Sequence, residues 1–217
     1  MRIVCNLAFI ALLAAPAFAQ KNDWLIVSGR RVGPITATTT RADLDGLFGK
    51  ENVREGSFGG GDVPEVATVV WGGDSSTALA ITWDRERPAA IHTCVGTKTG
   101  PCRWHTASGI RVGMPVDELQ QVNGKAFQIA GIGFGQGRVV SWRNGSLEED
   151  AAACGHLVVR VAPQAEAEGR PMSKDEASSM KGLQNEKPVS SSWLVTMGLN
   201  PIVSGLSMEF SGAGCRK

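Results

Sequence analysis

The sequence predicts an α+β fold: two tandem repeats, each a short helix packed on an antiparallel β-sheet. Three observations predict it. The stretch "TRADLDGLFGK" at 40–50 is echoed by "PVDELQQVNGK" at 115–125, with Ile35, Leu44, Leu47, Gly49 and Lys50 falling on Ile110, Leu119, Val122, Gly124 and Lys125 at a constant offset of 75 residues. Internal repetition of this kind marks a repeated structural unit. Each copy carries apolar residues at helical spacing and closes on glycine. Between and after the copies, short β-branched and aromatic runs are bounded by Gly, Pro and Asp, the pattern of strands in an antiparallel sheet.

In the first copy Leu44, Leu47 and Phe48 make one helix face, and Thr40 with Asp43 forms a capping-box pattern with Asp in place of Glu. In the second, Val116, Leu119 and Val122 make the face, and Pro115 suits a first helical turn. Helices of about nine residues do not persist alone in water, so each must pack on a neighbour. "NVREGSFGGGD" reads as a glycine-rich loop, and "EVATVVW", "TALAITW", "PAAIHTCV" and "GPCRWHT" as strands. "RVVSW" is a strand ending at the hairpin signal Asn144-Gly145. "GHLVVRVAP" and "GLSMEF" are later strands, Leu206, Met208 and Phe210 alternating with Ser207 and Glu209. Residues 163–192 form a polar excursion in which "SKDE" from Ser173 to Glu176 caps a short helix. The expected organisation is a leader at 1–19, repeat 1 at 20–106 and repeat 2 at 107–217.

The leader rests on Arg2, an apolar run too short to span a bilayer, and the Ala17-Phe18-Ala19 cleavage pattern, which puts Gln20 first in the mature chain. The expected location is the periplasm or the exterior, with no membrane span after cleavage. Removing Arg2 takes the formal charge from +1 to zero. A neutral chain without basic clusters argues against nucleic acid, whose binding rests on phosphate neutralisation. Four cysteines follow the leader: Cys94, Cys102, Cys154 and Cys215. An even number in an exported chain reads as two disulfides. Of the three possible pairings, Cys94–Cys102 with Cys154–Cys215 is preferred, because "CVGTKTGPC" makes a natural hairpin.

The second copy, "GIRVGMPVDELQQVNGK", resembles the helix signature of the SmpA/BamE-type small envelope proteins, and the tandem arrangement resembles the β-lactamase-inhibitor protein. Ile110, Gly113, Met114, Glu118, Leu119 and Gly124 carry the match. Pro115 replaces the usual Ser or Thr, Ala126 a common proline, and Thr38 and Thr39 stand where the first copy would need Gly-Met. The resemblance implies an exported, non-catalytic module that binds another protein through its open sheet face. The SmpA/BamE members are lipoproteins, and this chain lacks a cysteine at the cleavage point.

Sequence features that suggest chemistry have plainer readings. "GIGFGQGRVV" at 131–140 fits neither G-x-G-x-x-G nor a P-loop, and reads as a glycine-bent turn entering a strand. "GGDSS" at 72–76 has no preceding histidine and reads as a polar turn. "LEED" at 147–150 is a solvated turn, and the six tryptophans pack in the core. The sharper alternative is a metal-binding protein or hydrolase using His92, Cys94, Cys102 and His105, residue types and spacings that suit zinc. Against it, an oxidising compartment joins the two cysteines, and strand pairing of Cys94 with Cys102 would set His92 opposite Trp104 and Ile91 opposite His105, on different faces.

No catalytic residue and no cofactor is expected. The expected function is protein binding, as an inhibitor or an envelope-assembly partner, with a structural envelope component as a further alternative. If both helices cover one sheet face, Leu79, Ile81, Trp83, Val140 and Trp142 point inward. Thr82, Asp84, Ser141 and Arg143 then lie on the opposite face, the expected surface for an envelope or secreted protein.

Overall fold

The computed structural model describes residues 23–58, 65–95, 101–134, 136–148, 153–184 and 187–211. The leader and Cys215 lie outside them. The fold is α+β with antiparallel sheet predominant. A small sheet holds β1 (Leu25–Val27), β2 (Arg31–Val32), β3 (Ile35–Thr36) and β8 (His105–Thr106) in the order β3-β2-β1-β8, with β1 and β8 parallel. A large antiparallel sheet holds β4 (Val53–Phe58), β5 (Glu65–Val70), β6 (Leu79–Asp84), β7 (Arg87–Thr93), β9 (Gln128–Ala130), β10 (Gly137–Ser141), β11 (His156–Ala162), β12 (Val189–Ser190) and β13 (Ile202–Glu209). Its order is β12-β9-β10-β11-β13-β7-β6-β5-β4. Thus β4 to β7 form one meander, β9, β10, β11 and β13 a second, and the two meet along β7 and β13.

Each meander follows a short helix, and sequence sets both helix boundaries. In α1 (Arg41–Phe48), Asp43 Oδ2 accepts from the Thr40 backbone N–H and the Thr40 hydroxyl, each at 2.8 Å. These bonds hold the Asp43 carboxyl below its ordinary pKa. Leu44 and Phe48 are its buried face. In α2 (Val116–Asn123), Pro115 is the N-cap, one position earlier than expected. Gly49 and Gly124 both take positive φ, as glycine does without steric cost. Gly124 is left-handed, whereas ψ 133° at Gly49 leads the chain away extended. The signature residues Ile110, Met114 and Leu119 are core, and Gly113 N–H and Met114 C=O clasp Val203 at 2.8 Å each. Glu118 receives the Arg111 guanidinium at 3.0 Å, an exposed pair that stabilises little.

Three expectations are corrected. "VREGSF" is not loop but the edge strand β4, paired along its whole length with β5. Residues 163–192 are not a bare excursion. They build α3 (Gln164–Ala167), α4 (Lys174–Gly182) and β12, followed at once by α5 (Ser191–Thr196), and bury Ala165, Met180, Leu183 and Ser191. The Ser173–Glu176 capping box does form, with Ser173 N–H donating to Glu176 at 2.7 Å. Arg170 pulls the Glu176 carboxyl down to about 2. The hairpin signal Asn144-Gly145 makes a turn one residue early: Arg143 and Asn144 take φ 58° and 56°, and Gly145 N–H bonds Trp142 C=O.

Candidate functional site: the sheet face turned away from the helices

Residues directly opposite on paired strands share a face. One face of the large sheet carries Val70, Leu79, Ile81, Ile91, Val159, Leu206 and Met208, and these join Leu44, Phe48, Val116 and Leu119 of the helices in one core cluster. The other face lies outside that cluster. Across six strands, Val158 stands opposite Ser207, Ser207 opposite His92, His92 opposite Ala80, Ala80 opposite Val69, and Val69 opposite Arg54. Beside this row, Arg138 stands opposite Arg160 and Arg160 opposite Gly205. On its other side are His156, Glu209, Ala90 and Thr82. Ala67, Ala80 and Ser207 are buried, while Arg54, Arg138 and Arg160 are exposed. The face is thus a floor of small side chains with an arginine rim.

His92 and Ser207 are the unusual groups on this floor. The Phe58 ring, from the end of β4, reaches to 4.3 Å from the His92 ring. Burial disfavours the imidazolium, Arg160 adds positive charge nearby, and the His92 pKa falls to about 4. The unfolded chain therefore takes up a proton near pH 6.5 that the folded chain refuses. Above that pH His92 leaves stability unchanged; between about 6.5 and 4 the folded state loses up to about 3 kcal/mol relative to the unfolded one. Urea midpoints measured from pH 7.5 to 5 should decline, and His92→Gln should flatten that decline. An unaltered slope in the variant would contradict the burial of His92. Ser207 is 2% exposed, and its hydroxyl has no hydrogen-bond partner among the described residues. A nucleophilic serine is activated by a hydrogen-bonded base, and His92, although opposite, does not bond Ser207 here.

The expected site residues are only partly brought together. Thr82 and Asp84 lie on this face of β6, Thr82 at 6% exposure. Ser141 ends β10, and Arg143 lies in the turn beyond it. β6 and β10 are separated by three strands, so the two pairs stand about 19 Å apart across the sheet. Leu79 and Ile81 point inward, Trp142 is 7% exposed, and Trp83 is half-buried, donating from Nε1 to Thr68 at 3.0 Å. Val140 does not point inward. A bulge between Val139 and Ser141 sets Val139 opposite Ile129 and leaves Val140 42% exposed.

The zinc constellation is not assembled. Cys94 and Cys102 form a disulfide with Cα atoms 5.8 Å apart, which removes both thiolates. β7 and β8 belong to different sheets, so His92 does not face Trp104. His105 is exposed and donates from Nδ1 to the Arg103 carbonyl at 2.9 Å. Among the described residues no group of three or more His, Cys, Asp or Glu side chains is placed to hold a metal. Cys154 is also disulfide-bonded, and its expected partner Cys215 lies outside the described residues. No helix among the described residues is long and apolar enough to cross a membrane.

In the sequence His92 stands out only within the alternative metal set and not as a member of this face, and Arg138 and Arg160 do not stand out. Alternation in "GHLVVRVAP" sets Arg160 out of phase with Val159 and Val161, yet the pairing that brings Arg138, Arg160, Ser207 and His92 together is not local. Comparison with family models, with curated proteins and with solved structures finds no match to this chain.

Proposed function

We propose that the chain is an exported, non-catalytic protein-binding module, periplasmic or secreted, that docks an envelope or secreted protein as an inhibitor or assembly partner. The docking surface is the sheet face turned away from the helices. The observation that carries this reading is the composition of that face: small side chains across the floor and exposed arginines at the rim. Exposed arginines spread over three strands of one sheet face suit a folded partner better than a small substrate, which calls for a concave apolar pocket. The two units, 20–106 and 107–217, are read as tandem repeats. The 75-residue sequence echo and the twice-occurring order of helix then four-stranded meander support that reading. The SmpA/BamE-like signature at Ile110–Gly124 is consistent with it, and so are the disulfides and the leader-like start.

The test is affinity capture from envelope extract by the mature protein. Ala90 is half-buried on the proposed surface, so Ala90→Trp obstructs it without touching the core. The wild type should retain a specific protein that Ala90→Trp fails to retain, while Asp45→Trp, on the exposed side of α1, retains it normally. Equal retention by all three proteins would place the interaction elsewhere.

A further inference from the structure

We propose that Arg138 and Arg160 form the recognition point for carboxylates on an acidic segment of the partner protein. This rests on the proposed use of the sheet face as a docking surface. Arg138 and Arg160 are directly opposed on β10 and β11. Like charges in that relation destabilise a sheet, and neither guanidinium has an ion-pair or hydrogen-bond partner among the described residues. Folding therefore sets the two arginines at opposed positions on one face, exposed and uncompensated among the described residues. A guanidinium accepts a carboxylate through two parallel N–H donors, and two adjacent forks suit an Asp or Glu side chain.

The surroundings complete the subsite. Gly205 stands beside Arg160, and a Cβ there would meet only the aliphatic stem of Arg160, at 3.8 Å. The side of Arg160 toward β13 is thus free of a blocking side chain. Two residues further along the same face of β13 lies Ser207, its hydroxyl buried out of reach of solvent. His92, opposite Ser207, already feels the positive charge of Arg160, so it reports any anion seated there. Glu209, the acid on the same strand face, stands opposite His156, away from the arginine pair.

The test titrates the purified full-length mature protein with blocked tetraglutamate, blocked tetraglutamine and inorganic phosphate, following the His92 ring by NMR and the heat of binding. Tetraglutamate should bind saturably and raise the His92 titration midpoint, because it offsets the Arg160 charge. Arg138→Gln with Arg160→Gln should weaken that binding about tenfold or more. Tetraglutamine binding as tightly as tetraglutamate, phosphate binding as tightly, or an unaffected double variant would each overturn the proposal. The capture assay separates the two levels. If wild type retains a partner, Ala90→Trp loses it and the arginine double variant keeps it, the docking face stands and the carboxylate subsite falls. If the wild type retains nothing, both fall.

Discussion

Replacing Trp104 with alanine is expected to lower stability by about 3–5 kcal/mol, the usual cost of emptying a buried tryptophan site. Trp104 is fully buried and sits where the two sheets meet. Its ring packs edge-on against Trp24 at 5.2 Å, and Trp24 in turn packs on Trp71 at 5.1 Å. Its indole N–H donates to the Thr77 carbonyl at 2.9 Å, two residues before β6. The chain at Gly33 passes so close that a Cβ there would lie 3.1 Å from the ring. One side chain thereby ties the small sheet to the large one, and truncation removes apolar contact, aromatic pairing and a buried hydrogen bond together. The melting temperature should fall by about 10 °C or more. Trp104→Phe keeps most of the packing but strands the Thr77 carbonyl, so its loss should be about 1–3 kcal/mol. A fall of less than 1 kcal/mol on Trp104→Ala would show that the sheets are held together by other contacts.

Asn123→Ala is expected to cost about 2–3 kcal/mol, because it removes three hydrogen bonds of a buried amide at about 1 kcal/mol each. Asn123 is the last residue of α2 and 1% exposed. Its amide nitrogen donates to the carbonyls of Lys125 at 2.9 Å and Trp142 at 3.0 Å, and its oxygen accepts from Leu147 N–H at 3.2 Å. The side chain therefore fastens the helix end to the turn that follows β10. Gly145 is pressed against it: a Cβ at that position would fall 2.1 Å from Asn123 Oδ1. Gly145→Ala should thus destabilise by displacing the same amide, and the double variant should lose clearly less than the two single losses added together. Chemical denaturation of the four proteins checks this by a thermodynamic cycle. Strict additivity would mean that Gly145 acts through something other than Asn123.

Local patterns in the sequence were sufficient for what they encode. The Thr40–Asp43 and Ser173–Glu176 boxes, the Cys94–Cys102 bridge, and the inward alternation of Leu206 and Met208 depend on residues a few positions apart, and all appear in the structure. Elements fixed by distant partners were not legible. β4 reads as loop because Gly56 and polar residues interrupt it. It becomes a strand only because β5 supplies a full ladder, and at Gly56 there is room for the Val69 methyl that a Cβ would approach to 3.0 Å. The run from Ala165 to Leu194 looks solvated, yet its few apolar residues and Ser191 are spaced to bury against the core, with Ser191 bonding Phe127 N–H and Gln120. The β10 bulge exchanged Val139 for Val140 as the inward residue, and nothing in "RVVSW" signals it. The same non-locality hid the candidate site. Arg138, Arg160, Ser207 and His92 come from four strands that meet only once β7 pairs with β13, after the intervening chain has folded back.

The sheet face turned away from the helices is the proposed contact for another envelope or secreted protein. A photoreactive residue placed at Ala90 on that face, and separately at Asp45 on the exposed side of α1, tests this in living cells that express the chain. One discrete adduct of higher mass is expected from position 90 and none from position 45. Adducts from position 45 alone, or from both positions alike, would contradict it.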